Sequence, residues 1–121
     1  MCSSDLASIV AEAAARRTPL SLIGGGTKAD IGRPAQTAAT LSAAALTGVT
    51  LYEPAEMVIG ARAGTPLAEV VRTLADKGQE LPFEPMDHRP LLGSTGEPTV
   101  GAVAAACGTA EIGRASCRER V

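Results

Sequence analysis

Aromatic residues are almost absent from this chain of 121 residues, which has one Tyr, one Phe and no Trp. Its core must therefore be built from Ala, Val, Leu and Ile, and a hydrophobic content of 45% is enough for one modest domain. A net charge of −2 without a basic patch argues against nucleic acid as a partner. No apolar run is long enough to cross a bilayer, and the N-terminus lacks the pattern of a signal peptide.

Cysteine and histidine are also scarce. Three cysteines without paired spacing argue against a disulfide framework and a zinc site, so we expect a reducing compartment. The single histidine, His88, leaves no set of residues for a catalytic triad. We interpret His88 as a solvated loop residue. With Asp87 it supplies too few ligands for a metal site, and we expect no metal.

Both ends of the chain resemble translated sequencing-library adapters. Residues 112–121 match one adapter and residues 2–6 match its partner. Such segments are set aside before fold reasoning. We therefore expect tails over 1–6 and 111–121 around a partial domain over 7–110, with Cys107 as its native cysteine.

A glycine-rich stretch dominates the rest of the sequence. Four mostly apolar residues, Leu20 to Ile23, predict a buried strand, and Gly24, Gly25 and Gly26 then end it. Successive backbone N–H groups in such a turn form a concave anion site, to which a nearby lysine adds charge. The stretch thus predicts either a pyrophosphate site, completed by Thr27 and Lys28, or a plain turn between strands.

The order of predicted elements is α+β rather than a regular alternation of strand and helix. Thr65 is predicted to cap the second helix, with Pro66 at its first position. A run of small residues over 99–108 predicts a loop that brings the backbone close to a neighbour. The predicted elements are a helix over 7–17, a strand over 20–23, a short strand near 40–41, a hairpin of strands 49–53 and 57–62 across 54–56, a helix from Pro66 to Lys77, and a short strand over 79–81.

Two common nucleotide motifs fit poorly. The stretch from Gly24 to Ala29 matches G-x-G-x-x-G/A, but Gly32 and Pro34 fall where the helix of a Rossmann site should continue. A P-loop needs a glycine directly before its lysine, and Thr27 occupies that position before Lys28.

Five blocks of sequence resemble the FAD-binding domain of the vanillyl-alcohol-oxidase or PCMH type, and within it the FAD-binding subunits of bacterial glycolate oxidases. Ala102 departs from the second glycine that is usual in the last block. The blocks are PLSLIGGGTK (19–28), GVTLYEPAEMVI (48–59), ARAGTPLAE (61–69), GQELPFEP (78–85) and TVGA (99–102).

This resemblance implies two α+β subdomains with FAD between them, of which the chain would supply the first and the start of the second. It implies two groups of cofactor-binding residues, with Gly93 and Ser94 as further candidates in the second. The first group, a pyrophosphate loop acting mostly through backbone N–H groups, is Gly24, Gly25, Gly26, Thr27 and Lys28. The second group, which approaches the pyrophosphate or the flavin ring from the other side, is Thr99, Val100 and Gly101.

The resemblance also implies a flavin-dependent oxidoreductase that oxidises a small 2-hydroxy acid, from glycolate to glyoxylate. Its implied partners are a second flavin subunit and an iron–sulfur subunit. The implied location is cytoplasmic or peripheral at the inner membrane face. The fragment alone is expected to be inactive. Two alternatives stay open: another FAD-linked oxidase of the superfamily, and a non-enzymatic Rossmann-type module. A helix beginning at Gly26 would favour the Rossmann-type module, and a loop that turns back to an adjacent strand would favour the flavin domain.

Overall fold

The computed structural model describes residues 3–106, with the side chains of residues 5–106. It has mixed helix and strand, as the α+β prediction requires. Cys107, Gly108 and the predicted tail over 111–121 lie outside the described residues. The elements are α1 (Ser3–Ala15), β1 (Leu20–Ile23), β2 (Ala39–Ser42), β3 (Val49–Glu53), a 3-10 turn (Pro54–Glu56), β4 (Val58–Ala61), α2 (Leu67–Ala75), α3 (Arg89–Leu92) and α4 (Val100–Ala105).

The strands form two separate pairs. β1 and β2 are parallel, with Leu20 opposite Ala39 and Ile23 opposite Ser42. β3 and β4 are antiparallel, with an irregularity in register between Val49 and Leu51. The short strand near 40–41 and the hairpin across 54–56 are thereby confirmed.

Helix α1 begins four residues earlier than the predicted start at Ala7 and ends two residues before the predicted end at Arg17. Arg17 has a φ of 52°, in the left-handed region. The Thr18 N–H donates back to the Ala13 carbonyl at 2.8 Å. This closing turn ends the helix before Pro19, which lacks an N–H to continue it.

Helix α2 forms as predicted but its start differs. Pro66 is the residue that precedes the helix, and no side chain caps it. The prediction of Thr65 as the cap is wrong, because its hydroxyl is bonded to Gly48 instead. The helix ends at Ala75, two residues before the predicted end at Lys77, and Gly78, with a φ of 66°, lies three residues beyond it.

Two further predictions are wrong. Residues 79–81 form no strand, and the Gln79 N–H instead donates to the Leu74 carbonyl at the end of α2, at 2.9 Å. The Gln79 side chain bonds to Tyr52 and Pro54. The small-residue run does not begin as a loop. It forms α4, whose first turn is capped by the Thr99 hydroxyl, which accepts the Ala102 N–H at 3.4 Å.

The buried apolar residues of the described part of the chain are Val70, Leu74 and Val103, from α2 and α4. Three threonines are also buried: Thr27, Thr65 and Thr99. Thr65 and Thr99 lie just before α2 and α4, and Thr27 lies in the turn that follows β1.

Candidate functional site

The glycine loop, residues 24–28, leaves the end of β1 and continues as turns and bends. No helix forms within residues 24–38, and the chain returns as β2 beside β1. A Rossmann site needs a helix whose N-terminus faces the pyrophosphate. The geometry therefore favours the loop arrangement that was expected of a flavin domain.

The glycine loop lies against residues 94–99. The Ser94 hydroxyl donates to the Thr27 carbonyl at 3.1 Å. Gly24 faces Thr99 so closely that a side chain on Gly24 would overlap the Thr99 hydroxyl. The structure thus places Thr99, from the second predicted group, and the further candidate Ser94 against the glycine loop.

A cavity of about 250 Å³ opens between the loop and α4. One wall is the glycine loop, and the other is the small side chains of α4. Because these side chains are small, a bulky ligand can approach the backbone. The residues lining it are Leu22, Ile23, Gly24, Gly26, Thr27, Lys28, Ala29, Ala102, Ala105 and Ala106.

Two residues that line this cavity each have a buried side-chain polar atom without a hydrogen-bond partner within residues 3–106, namely Thr27 Oγ1 and Lys28 Nζ. Thr27 as a residue is 2% exposed. A buried polar group without a partner costs free energy, and a buried charge costs more. Together these atoms offer a hydroxyl and an ammonium that an anionic ligand could satisfy.

The second predicted group, residues 99–101, makes backbone and packing contacts next to the cavity. Val100 and Gly101 donate their N–H groups to the carbonyls of Thr65 and Ala63, at 3.0 and 2.9 Å. Gly101 also lies against Ala63, where a Cβ would come within 2.8 Å of the alanine Cβ. The residues of α4 that line the cavity are Ala102, directly after Gly101, and Ala105, about one turn further along the helix. Thr99 contributes through its contact with Gly24 and its cap on α4.

An ion pair at the surface, between Asp87 and Arg89, shifts the pKa values of both its groups. The Arg89 guanidinium donates to both Asp87 carboxylate oxygens, with Nη2 at 2.9 Å from Oδ2 and Nε at 3.0 Å from Oδ1. Hydrogen bonds from the Arg89 side chain and backbone are the main reason that the pKa of Asp87 falls from 3.8 to about 2, and Lys28 adds a small coulombic contribution. The same pair raises the pKa of Arg89.

His88 lies beside this pair, and its Nδ1 is 3.2 Å from the Met86 carbonyl oxygen. Across residues 3–106, His, Cys, Asp and Glu side chains do not gather into a group of three that could hold a metal ion. Over the same residues, no helix is both long and apolar enough to cross a membrane.

Sequence reasoning missed Gly96, Glu97 and the alanines of α4 as parts of this site. The repeated small residues around Pro98 were the available signal. Their contacts are with residues far away in sequence, so only the folded structure identifies the partners.

Comparison with known proteins places these features in a family. The profile of a family described as FAD binding domain matches residues 2–117. Glycolate oxidase subunit GlcE of Escherichia coli (strain K12) is 42% identical over 83 residues, which cover 69% of this chain and 23% of that protein. The chain therefore spans less than a quarter of the length of this relative. No solved structure matches.

The match covers nearly the whole chain and includes the glycine loop, Ser94 and α4. The chain therefore belongs to the PCMH-type FAD-binding domain family of flavoproteins, whose cofactor is FAD.

Proposed function

We propose that the cavity between the glycine loop and α4 holds the pyrophosphate of FAD. The observation that supports this most directly is the pair of buried atoms, Thr27 Oγ1 and Lys28 Nζ, that find no hydrogen-bond partner in the described part of the chain. An ammonium balances phosphate charge, and a hydroxyl donates to a phosphate oxygen. These residues therefore fit an anionic cofactor group.

Each predicted residue then has a distinct part. Gly24 and Gly26 line the cavity without side chains, so that the ligand can come close to the backbone. Thr27 and Lys28 supply polar contacts. Gly25 packs against the Glu97 backbone instead of lining the cavity. Thr99, Val100 and Gly101 act through shape, because the N–H groups of Val100 and Gly101 are already donated to backbone carbonyls. Thr99 supports the loop at Gly24.

We propose further that the complete protein is an oxidoreductase that converts a small 2-hydroxy acid, glycolate, to glyoxylate. The support is the identity to the glycolate oxidase subunit together with the FAD family match. Bound FAD supplies the two-electron redox chemistry, and the protein binds and orients it. A second flavin subunit and an iron–sulfur subunit would complete the enzyme, in the cytoplasm or at the inner membrane face. Other 2-hydroxy acids are the alternative substrates within the same superfamily.

Lysine labelling tests the cofactor site. The chain has two lysines, Lys28 in the cavity and the exposed Lys77. Acetylation with an N-hydroxysuccinimide ester, followed by peptide mass spectrometry, reports each separately. FAD is expected to slow labelling of Lys28 and to leave Lys77 unchanged. Equal rates at Lys28 with and without FAD would contradict the site.

A matched pair of variants tests the charge. Lys28→Gln is expected to weaken FAD binding by about 10- to 100-fold, the range of one hydrogen bond to a charged group. Lys77→Gln removes the same charge on the exposed surface and is expected to have little effect. Flavin fluorescence titration measures both dissociation constants. The substrate is tested separately, by following flavin absorbance in the complete oxidase when glycolate, lactate or another 2-hydroxy acid is added.

A further inference from the structure

We infer that residues 94–97, the brace segment, hold the glycine loop in its binding geometry, with Ser94 and Gly96 as positioning residues. Their effect on FAD rests on the proposed function. Their effect on the loop itself can be measured without FAD.

The first contact is the hydrogen bond from the Ser94 hydroxyl to the Thr27 carbonyl, at 3.1 Å. That carbonyl belongs to the peptide group that joins Thr27 to Lys28. Fixing its orientation fixes the direction in which the Lys28 side chain leaves the backbone. Ser94 therefore acts on the cavity through Lys28 without lining the cavity.

The second contact is made by two glycines that pack backbone against backbone. A side chain on Gly25 would overlap the Glu97 carbonyl, and a side chain on Gly96 would overlap the Gly25 carbonyl. Only glycine allows so close an approach. Gly25 therefore packs against Glu97 and Gly96 packs against Gly25, so Gly25 serves packing against the brace segment.

Gly26 differs from Gly25 in the same loop. It lines the cavity, has a φ of 75°, and a Cβ there would meet nothing within 4 Å. The three consecutive glycines thus divide into packing and cavity-lining positions. The resemblance to the family, which assigns all three to the cofactor, does not make this distinction.

The brace segment is itself anchored. Pro98, directly after it, accepts the Leu67 N–H at 2.9 Å, at the start of α2. Thr99 pairs with Pro66 in an isolated antiparallel bridge. Because α2 contributes Val70 and Leu74 to the core, these contacts connect the brace segment to the core. The brace segment in turn contacts the glycine loop.

The test uses the full chain and the acetylation rate of Lys28 relative to Lys77. Ser94→Ala is expected to raise this ratio by about 3- to 10-fold, because one neutral hydrogen bond no longer restrains the loop. Ser94→Thr keeps the hydroxyl and is expected to restore the ratio. Thr37→Ala removes a hydroxyl at an exposed position before β2, serves as the control and should leave the ratio unchanged. Equal ratios in Ser94→Ala and Thr37→Ala would overturn the inference.

A second variant addresses the glycine contact. Gly96→Ala is expected to raise the Lys28 ratio more than Ser94→Ala does, while Lys77 labelling stays at the wild-type rate. If Gly96→Ala raises labelling at both lysines, the chain has unfolded, and Ser94→Ala then decides. If it raises neither, the backbone contact does not restrain the loop and the inference fails.

FAD titration separates this inference from the proposed function. If wild type binds FAD and Ser94→Ala binds about 3- to 10-fold more weakly with Ser94→Thr restored, the positioning role is supported. If wild type and Ser94→Ala bind equally, the positioning role fails and the cofactor site stands. If the wild-type complete protein does not bind FAD while the labelling ratios change as expected, the proposed function fails and the role of the brace segment stands.

Discussion

The Thr65 hydroxyl bonds to both backbone polar groups of Gly48. It accepts the Gly48 N–H at 3.0 Å and donates to the Gly48 carbonyl at 3.2 Å. Thr65 is fully buried, and its own carbonyl accepts the Val100 N–H. One threonine thereby connects the start of β3, the approach to α2 and the first turn of α4.

Replacing this hydroxyl by a methyl group is expected to destabilise the chain. Thr65→Val keeps the shape and leaves the Gly48 N–H and carbonyl without their partner. The free energy of unfolding should fall by about 1–3 kcal/mol, the cost of unsatisfied buried groups. Urea unfolding followed by circular dichroism measures it. Thr65→Ser keeps the hydroxyl and should retain most of the stability. A Thr65→Val variant as stable as Thr65→Ser would contradict this role.

Gln79 joins the hairpin to the end of α2. The Tyr52 hydroxyl donates to Gln79 Oε1, and Gln79 Nε2 donates to the Pro54 carbonyl at 2.8 Å. Gln79→Met removes both bonds and is expected to lower the free energy of unfolding by about 1–3 kcal/mol. Gln36→Met, at an exposed position, should change it by less than about 0.5 kcal/mol. Similar urea midpoints for the two variants would show that the Gln79 bonds add nothing to stability.

Two neighbouring valines of α2 provide a packing test. Val70 is 3% exposed and Val71 is 47% exposed. Val70→Ala should lower the free energy of unfolding by about 1.5–3 kcal/mol, as expected for a fully buried valine. Val71→Ala should cost less than about 1 kcal/mol, because half of that side chain is already in water. The reverse order of the two costs would mean that α2 packs through its other face.

Acid is expected to weaken the ion pair of Asp87 and Arg89. The pKa of Asp87 in the folded chain is about 2, below the ordinary 3.8. The pair therefore adds stability above 3.8, and this contribution disappears as the pH falls through about 2. Urea midpoints of wild type and Asp87→Asn should differ above pH 3.8 and converge near pH 2. A constant difference across that range would exclude this linkage. Added salt should reduce the difference, because both groups are exposed.

The local parts of the fold were predictable from sequence. The strand before the glycines, the hairpin around Pro54 and the helix after Pro66 each depend on residues close together in the chain. Side-chain roles that depend on distant partners were not. Thr65 has the residue type of a helix cap, yet Gly48 lies 17 positions away and takes its hydroxyl. Gln79 lies in a strand-like segment, yet its amide is satisfied by Tyr52 and Pro54.

The candidate site likewise has one part that the sequence predicts and one part that it does not. The glycine loop is visible in the sequence because glycine, threonine and lysine are adjacent there. The brace segment is not, because Ser94 reaches Thr27 across 67 positions. For α4, the small residues correctly predicted a close backbone approach, at Gly101 against Ala63. The same residues were interpreted as a loop, although alanine also favours helix formation.

The contact between the glycine loop and the brace segment also sets an order of events during synthesis. The loop leaves the ribosome early, while Ser94 and Gly96 emerge only after both strand pairs and α2. Translation adds about 5–20 residues per second. Several seconds therefore pass between synthesis of the glycine loop and synthesis of the brace segment. Ribosome-bound chains ending before Ser94 should therefore show fast acetylation at Lys28, and chains extended past α4 should not. A nascent chain thus gains the supported form of the glycine loop in one late step.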